Sequence, residues 1–245
     1  MSVLRLTIHV LSGLLLTACL FLRPAQGQLP EQDVLALPSY PIPQPDNPGF
    51  TLPATALNTT AVPYESHGGP GPNDTWLQHT LNAALLTLLR QAVEAAHGQP
   101  LLNRGEAHVT LITPPEYHNV LAPAGVTLAD LDDIARAAQV QAAPIQALCV
   151  GRQRLVVTAS PQPKDGGETT TTMYAYNLIV RSPTWTRIRW QVWRRFIGLG
   201  GEPSLFDPEA NWPHVTLGFS HRDLFLQDGV FKGINSCWRA ITVVE

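Results

Sequence analysis

Two tetrapeptides in this chain are identical: His108-Val109-Thr110-Leu111 and His214-Val215-Thr216-Leu217. Histidine is the side chain that takes up or gives away a proton near neutral pH, and a threonine hydroxyl donates to an oxygen that is gaining negative charge. Each copy alternates polar and apolar residues. In a β-strand that alternation sends His and Thr to one face and Val and Leu to the other. Two such strands side by side present two imidazoles and two hydroxyls on one surface. Such a set can remove a proton on one side of a reacting centre, supply one on the other, and hold the charge that develops between them.

Other residue types are less directed. His-x-Glu-x-x-His and Cys-x-x-Cys spacings are absent, so no metal cage is legible and no cofactor is expected. His118 and His221 follow the expected capped turns, His67 sits in a Gly/Pro loop, and His79 and His97 fall on a helix and at its end. Structural or surface roles suit all five better than chemistry. Arg181, Arg187, Arg189, Arg194 and Arg195 are close together, with no acid between Glu168 and Glu202. They form either a phosphate-attracting face or the solvated side of an amphipathic helix. Trp190 and Trp193 could stack a planar ligand or pack. Tyr174 and Tyr176 share a strand face and are stacking candidates if that face lines a cleft.

The elements that must position the two motifs follow from periodicity. Asp74 or Thr75 caps an expected helix carrying Leu77, Leu81, Leu85, Leu88, Leu89 and Val93, ending near His97-Gly98. Residues 106–112 read as a strand, followed by the cap Thr113-Pro114-Pro115-Glu116. Thr127-Leu128-Ala129-Asp130 opens a second helix to about Gln139. Strands are expected at 145–150, 154–159 and 171–180, with a loop from Ser160 to Gly167. Ser182-Pro183 starts a helix whose buried stripe is Trp185, Ile188, Val192 and Phe196, ended near Gly198. The strand 213–219 precedes another apparent cap, Ser220-His221-Arg222-Asp223, and a last strand spans 236–244. Both halves therefore run helix, loop, strand, capped turn.

Paired His-Φ-Thr-Φ strands, one in each half, resemble the signature of the two-histidine (2H) phosphoesterase superfamily, which includes RNA 2′,3′-cyclic phosphodiesterases. The resemblance spans about Asn73 to Glu245 and is carried by the two motifs alone. It implies an α+β, bilobal, pseudo-symmetric domain, each lobe an antiparallel sheet with helices outside and the active-site groove between the lobes. It also implies a metal-independent phosphodiesterase acting on a small nucleotide or RNA end, with His108 and His214 as acid and base and Thr110 and Thr216 binding the phosphate. The alternative is a secreted non-catalytic protein that binds a nucleotide, RNA or partner on the same scaffold. A structural protein whose motifs are packing coincidences is a third reading.

The front of the chain departs from that family pattern. Residues 1–27 have the form of a secretory signal peptide: Arg5, the apolar stretch Val10 to Leu22, and Ala25-Gln26-Gly27. A secreted monomer with no stable membrane partner is expected, an uncleaved signal anchor being the alternative. Eleven of the 22 prolines lie between Pro24 and Pro72, so residues 28–72 read as a linker or arm and the domain as 73–245, although a start near Thr51 is compatible. Removal of the leader takes Cys19, and the two remaining thiols, Cys149 and Cys237, are a candidate disulfide in an oxidising compartment. Asn58 and Asn73 begin glycosylation sequons. The net charge of −3 excludes a generally basic nucleic-acid coat, and 44% hydrophobic with 14% charged residues excludes a disordered chain.

Overall fold

Alternation of apolar residues determines the centre of the molecule. In β4 (His108–Ile112) Val109, Leu111 and Ile112 are buried while His108 and Thr110 are half-buried. In β7 (His214–Phe219) Val215, Leu217 and Gly218 are buried while His214 and Thr216 are half-buried. A computed structural model describes residues 49–68, 75–159 and 169–245. The expected signal peptide, residues 28–48 and 69–72 of the arm, Asn73 and the expected loop 160–167 lie outside the described residues.

The remaining strands are β1 (Phe50–Pro53), β2 (His67–Gly68), β3 (Thr75–Thr80), β5 (Gln146–Ala159), β6 (Thr169–Arg181) and β8 (Cys237–Val244). They form one eight-stranded sheet in the order β1-β8-β5-β6-β7-β4-β3-β2. Among the described residues only the β1–β8 pair is parallel. The motif strands are thus immediate neighbours in a mixed α+β fold. This corrects the expectation of a separate sheet for each lobe.

The helices are α1 (Thr87–His97), α2 (Pro114–Glu116), which runs on into a π turn at Tyr117–Leu121, α3 (Leu128–Ala137) and α4 (Pro183–Gly198). Their apolar stripes meet the Val/Leu face of the sheet. Trp185, Ile188, Val192 and Phe196 of α4 share one core with Leu131 of α3, Leu89 and Val93 of α1, and Val109, Leu111, Val215 and Leu217. The His/Thr face is therefore the one turned away from the helices. Local signals explain the helix starts. Thr113 with Glu116, and Thr127 with Asp130, each close a capping box. Gly98 ends α1 at φ 85°, a conformation that costs glycine least.

Several expectations need correction. The helix expected from Asp74 or Thr75 is strand β3 as far as Thr80, then a 3₁₀ turn at Ala83–Leu86, and α1 begins only at Thr87. Leu77, Leu81 and Leu85 are spaced for a helix, yet Leu77, His79 and Leu81 go inward together at the strand period of two. The sheet begins before Asn73: β1, inside the expected arm, pairs with Ile241–Val244 and buries Phe50 and Leu52. Strands expected at 145–150 and 154–159 are one strand, β5. Ser220 to Asp223 starts no helix. The Ser220 hydroxyl instead accepts from the Tyr174 amide.

Candidate active site

The site is a seam. Between β4 and β7 the described register is the single antiparallel pair Val109–Val215. One residue to either side, antiparallel geometry sets His108 across from Thr216 and Thr110 across from His214. All four side chains leave the sheet on the face away from the helices. The neighbouring strands continue that face, with Thr80 and Gln78 beside His108 and Thr110, and Ile179 and Asn177 beside His214 and Thr216. The sequence-predicted His and Thr residues are thus brought together in one two-by-two array.

The two imidazoles have different surroundings. His214 Nδ1 lies 2.7 Å from the Trp212 carbonyl oxygen. A carbonyl only accepts, so Nδ1 carries the proton and donates, and in the neutral ring Nε2 holds the lone pair. Burial, and next the Lys232 cation, pull the His214 pKa down to about 4, against the opposing pull of the Trp212 carbonyl and Asp223. His108 adds a further downward push, so the rings are close enough to sense one another. His108 is flanked by the Glu106 carboxylate, 3.6 Å from Nδ1, and by the Trp76 indole, whose ring centre is 6.0 Å away at 28°.

A buried charge cluster borders His214. Asp223 accepts from Lys232 Nζ at 2.7 Å and from Arg104 at 3.0 Å. Burial holds the Lys232 pKa below its usual value. Lys232 and Asp223 lie in the segment between β7 and β8, and a disulfide joins Cys237, the first residue of β8, to Cys149 of β5. A cavity of about 200 Å³ reaches Thr216 and Glu106 from the side of Ala83 and Arg90, and neither histidine lines it.

The other sequence candidates are placed elsewhere. Tyr176 is buried on the helix side with its hydroxyl 2.9 Å from His97 Nδ1, and Tyr174 rests edge-on against His97. Neither faces the seam. Trp190 and Trp193 pack on each other on α4. Arg189 belongs to neither expected class: it is 1% exposed and donates to the carbonyls of Leu111, Asp207, Pro208 and Ala210 and to Glu116. It is a structural tie beneath β4. His79 is likewise structural, accepting from the Trp185 indole N–H at 2.9 Å and donating to Thr59 at 2.7 Å. Asn58 is exposed, its side-chain oxygen accepting from the Thr60 amide and hydroxyl.

Sequence reasoning passed over Trp76, Glu106, Arg104, Trp212, Asp223 and Lys232. Some signals were present: Glu106 shares the parity of His108, Trp212 that of His214, and Lys232 is one of only two lysines. Among the described residues, no three His, Cys, Asp or Glu side chains converge as metal ligands. Against protein-family models, residues 75–225 match the Swiss Army Knife 2H phosphoesterase domain. No curated protein matches, and no solved structure does.

Proposed function

The chain belongs to the 2H phosphoesterase superfamily, whose chemistry is phosphodiester hydrolysis, and from that premise we propose a metal-independent phosphodiesterase that opens the 2′,3′-cyclic phosphate of a nucleotide or RNA end. The observation that carries this reading is the array of His108, Thr110, His214 and Thr216 on one sheet face at the Val109–Val215 pair.

His214 is the base. Its Nδ1–H is engaged by Trp212 and its ring is kept neutral, so Nε2 takes a proton from the attacking water. The water oxygen bonds to phosphorus, the bond from phosphorus to one ribose oxygen breaks, and His108 gives that oxygen a proton. The product is a phosphomonoester beside a free hydroxyl. Glu106, facing His108 Nδ1, orients the ring and complements its charge while it carries the proton. Thr110 and Thr216 donate to the non-bridging oxygens, where negative charge builds. The seam itself, held by one register pair, is read as the meeting of two pseudo-symmetric half-sheets.

Export through the secretory pathway is part of the same proposal. The Cys149–Cys237 disulfide supports it, because such bonds persist in oxidising compartments. Exposed Asn58 is the proposed glycosylation site among the described residues. The test is to incubate the protein with 2′,3′-cyclic nucleotides and with linear diesters, with and without chelator, and to read the product phosphate by ³¹P NMR. Cyclic phosphate should become monoester at the same rate in both conditions. No turnover, or turnover that chelator abolishes, contradicts the proposal.

A further inference from the structure

On the helix side of the sheet, the face turned away from the seam, guanidiniums and aromatic rings alternate across four strands. Arg152 of β5 lies over Tyr174 of β6 at 5.9 Å and over Trp238 of β8 at 4.8 Å. Arg239 lies over Trp238 at 4.5 Å and over Phe50 of β1 at 5.2 Å. A bulge makes the row possible. The β5–β8 register shifts at Val150/Gly151, and the consecutive residues Trp238 and Arg239 come to the same side of β8. Trp238 meets the Tyr176 ring there at 5.3 Å. Arg154, two residues beyond Arg152 and so on the same face, is paired in register with Tyr174. Arg152 and Arg154 are exposed, and Arg239, Trp238 and Tyr174 are half-buried.

The charges of this row are not neutralised. Among the described residues, no carboxylate forms an ion pair with Arg152, Arg154 or Arg239. The chain as a whole is acidic, at −3, so the row is a local exception. A guanidinium laid flat on a ring keeps its N–H bonds in its own plane, at its rim. Stacking therefore fixes the orientation of the cation and leaves its donors for a ligand. Two such cations share one indole, and a third follows along β5. We propose that this row is a docking surface for the phosphate backbone of single-stranded RNA, separate from the seam and on the opposite face of the sheet. Fixed arginine forks match phosphate oxygens in bidentate pairs and read no base sequence. The inference goes beyond the phosphodiesterase reading, which supplies only the reason to favour a phosphodiester chain over other polyanions.

The probe is a fluorescein-labelled single-stranded RNA of about twelve nucleotides with a 3′-hydroxyl end, titrated by anisotropy at several salt concentrations. Three phosphate contacts predict a slope of log affinity on log salt of about −2. The double variant Arg152→Gln, Arg154→Gln should reduce that slope to about −0.7 and weaken low-salt binding about tenfold or more. Arg152→Lys with Arg154→Lys retains the charge and should keep the slope. Turnover of a nucleoside 2′,3′-cyclic phosphate should be unchanged in both double variants, because so small a substrate occupies the seam alone. No RNA binding, or binding whose slope the glutamine pair leaves in place, overturns the surface while the seam's turnover still stands. Tighter binding of a heparin oligosaccharide of equal charge overturns it as well, and gives the face to a sulfated glycan. If wild type turns over no phosphodiester and the glutamine pair still abolishes RNA binding, the phosphodiesterase reading fails and the surface holds.

Discussion

Val109 and Val215 face each other across the β4–β7 seam, and that pairing determines the partners of the four polar side chains beside them. Each histidine stands opposite the threonine of the other motif. On the proposed function, a phosphoryl group seated on the seam would meet hydroxyls and imidazoles in diagonal pairs.

The hydroxyls can be removed without disturbing the valine pair. Thr110→Val and Thr216→Val preserve shape and strand preference, and each should lower kcat by about a hundredfold, the scale of losing one preorganised oxyanion donor. Steady-state kinetics on a cyclic phosphate measures this. An unchanged kcat in both variants would remove the threonines from the chemistry.

The pH profile should be displaced toward acid. The His214 ring is held to about 4 by burial and the Lys232 cation, with Asp223 opposing and His108 reinforcing. A base works only when neutral, so kcat/KM should hold down through weakly acidic pH and fall as pH drops through about 4. Lys232→Met removes one of the cations while leaving Asp223, so the limb should move up toward the ordinary imidazole value of about 6.5. A limb that stays in place would show that Lys232 does not act on His214.

His79 gives the fold its own pH dependence. Burial lowers its pKa to about 4. Between about 6.5 and 4 the unfolded chain binds a proton that the folded chain refuses, so stability is full above that window and falls as pH drops through it. A gap of this size corresponds to about 3 kcal/mol for His79. Urea denaturation at pH 7 and pH 4.5 should show the loss, and His79→Gln should shrink it. Equal stability at both pH values would contradict the assignment.

Arg189 ties β4 to the segment that precedes β7. Arg189→Met would strand the carbonyls of Leu111, Pro208 and Asp207 and the Glu116 carboxylate without their donor. Chemical denaturation should register a loss of about 3–5 kcal/mol, the usual cost of removing one partner from a buried charged group. A loss no larger than that of Arg187→Met, an exposed residue on the same helix, would reject this role.

What the sequence makes legible is local. The buried alternation in β4 and β7, the capping boxes at Thr113 and Thr127, and the α4 stripe from Trp185 to Phe196 are each written within a few residues. The β3 strand is not, because Leu77, Leu81 and Leu85 are spaced for a helix while Leu77, His79 and Leu81 are buried at a strand's period, and only pairing with β4 decides between them. The arm hides β1 for a similar reason: prolines around Phe50 and Leu52 mask two inward residues whose partner strand is β8, near the end of the chain. Arg189 looks like one cation of a basic run until its carbonyl partners, remote in sequence, are assembled around it. The Asp223 cluster is invisible for the same cause, since Arg104 reaches it across most of the domain.

The central claim is that the two histidines divide the proton transfers at one phosphorus. Single-turnover hydrolysis of a nucleoside 2′,3′-cyclic phosphate by wild type, His108→Ala and His214→Ala tests it directly. Each variant should lose about 10²- to 10⁴-fold in rate while keeping the wild-type fold by circular dichroism. Wild-type turnover in either variant would contradict it.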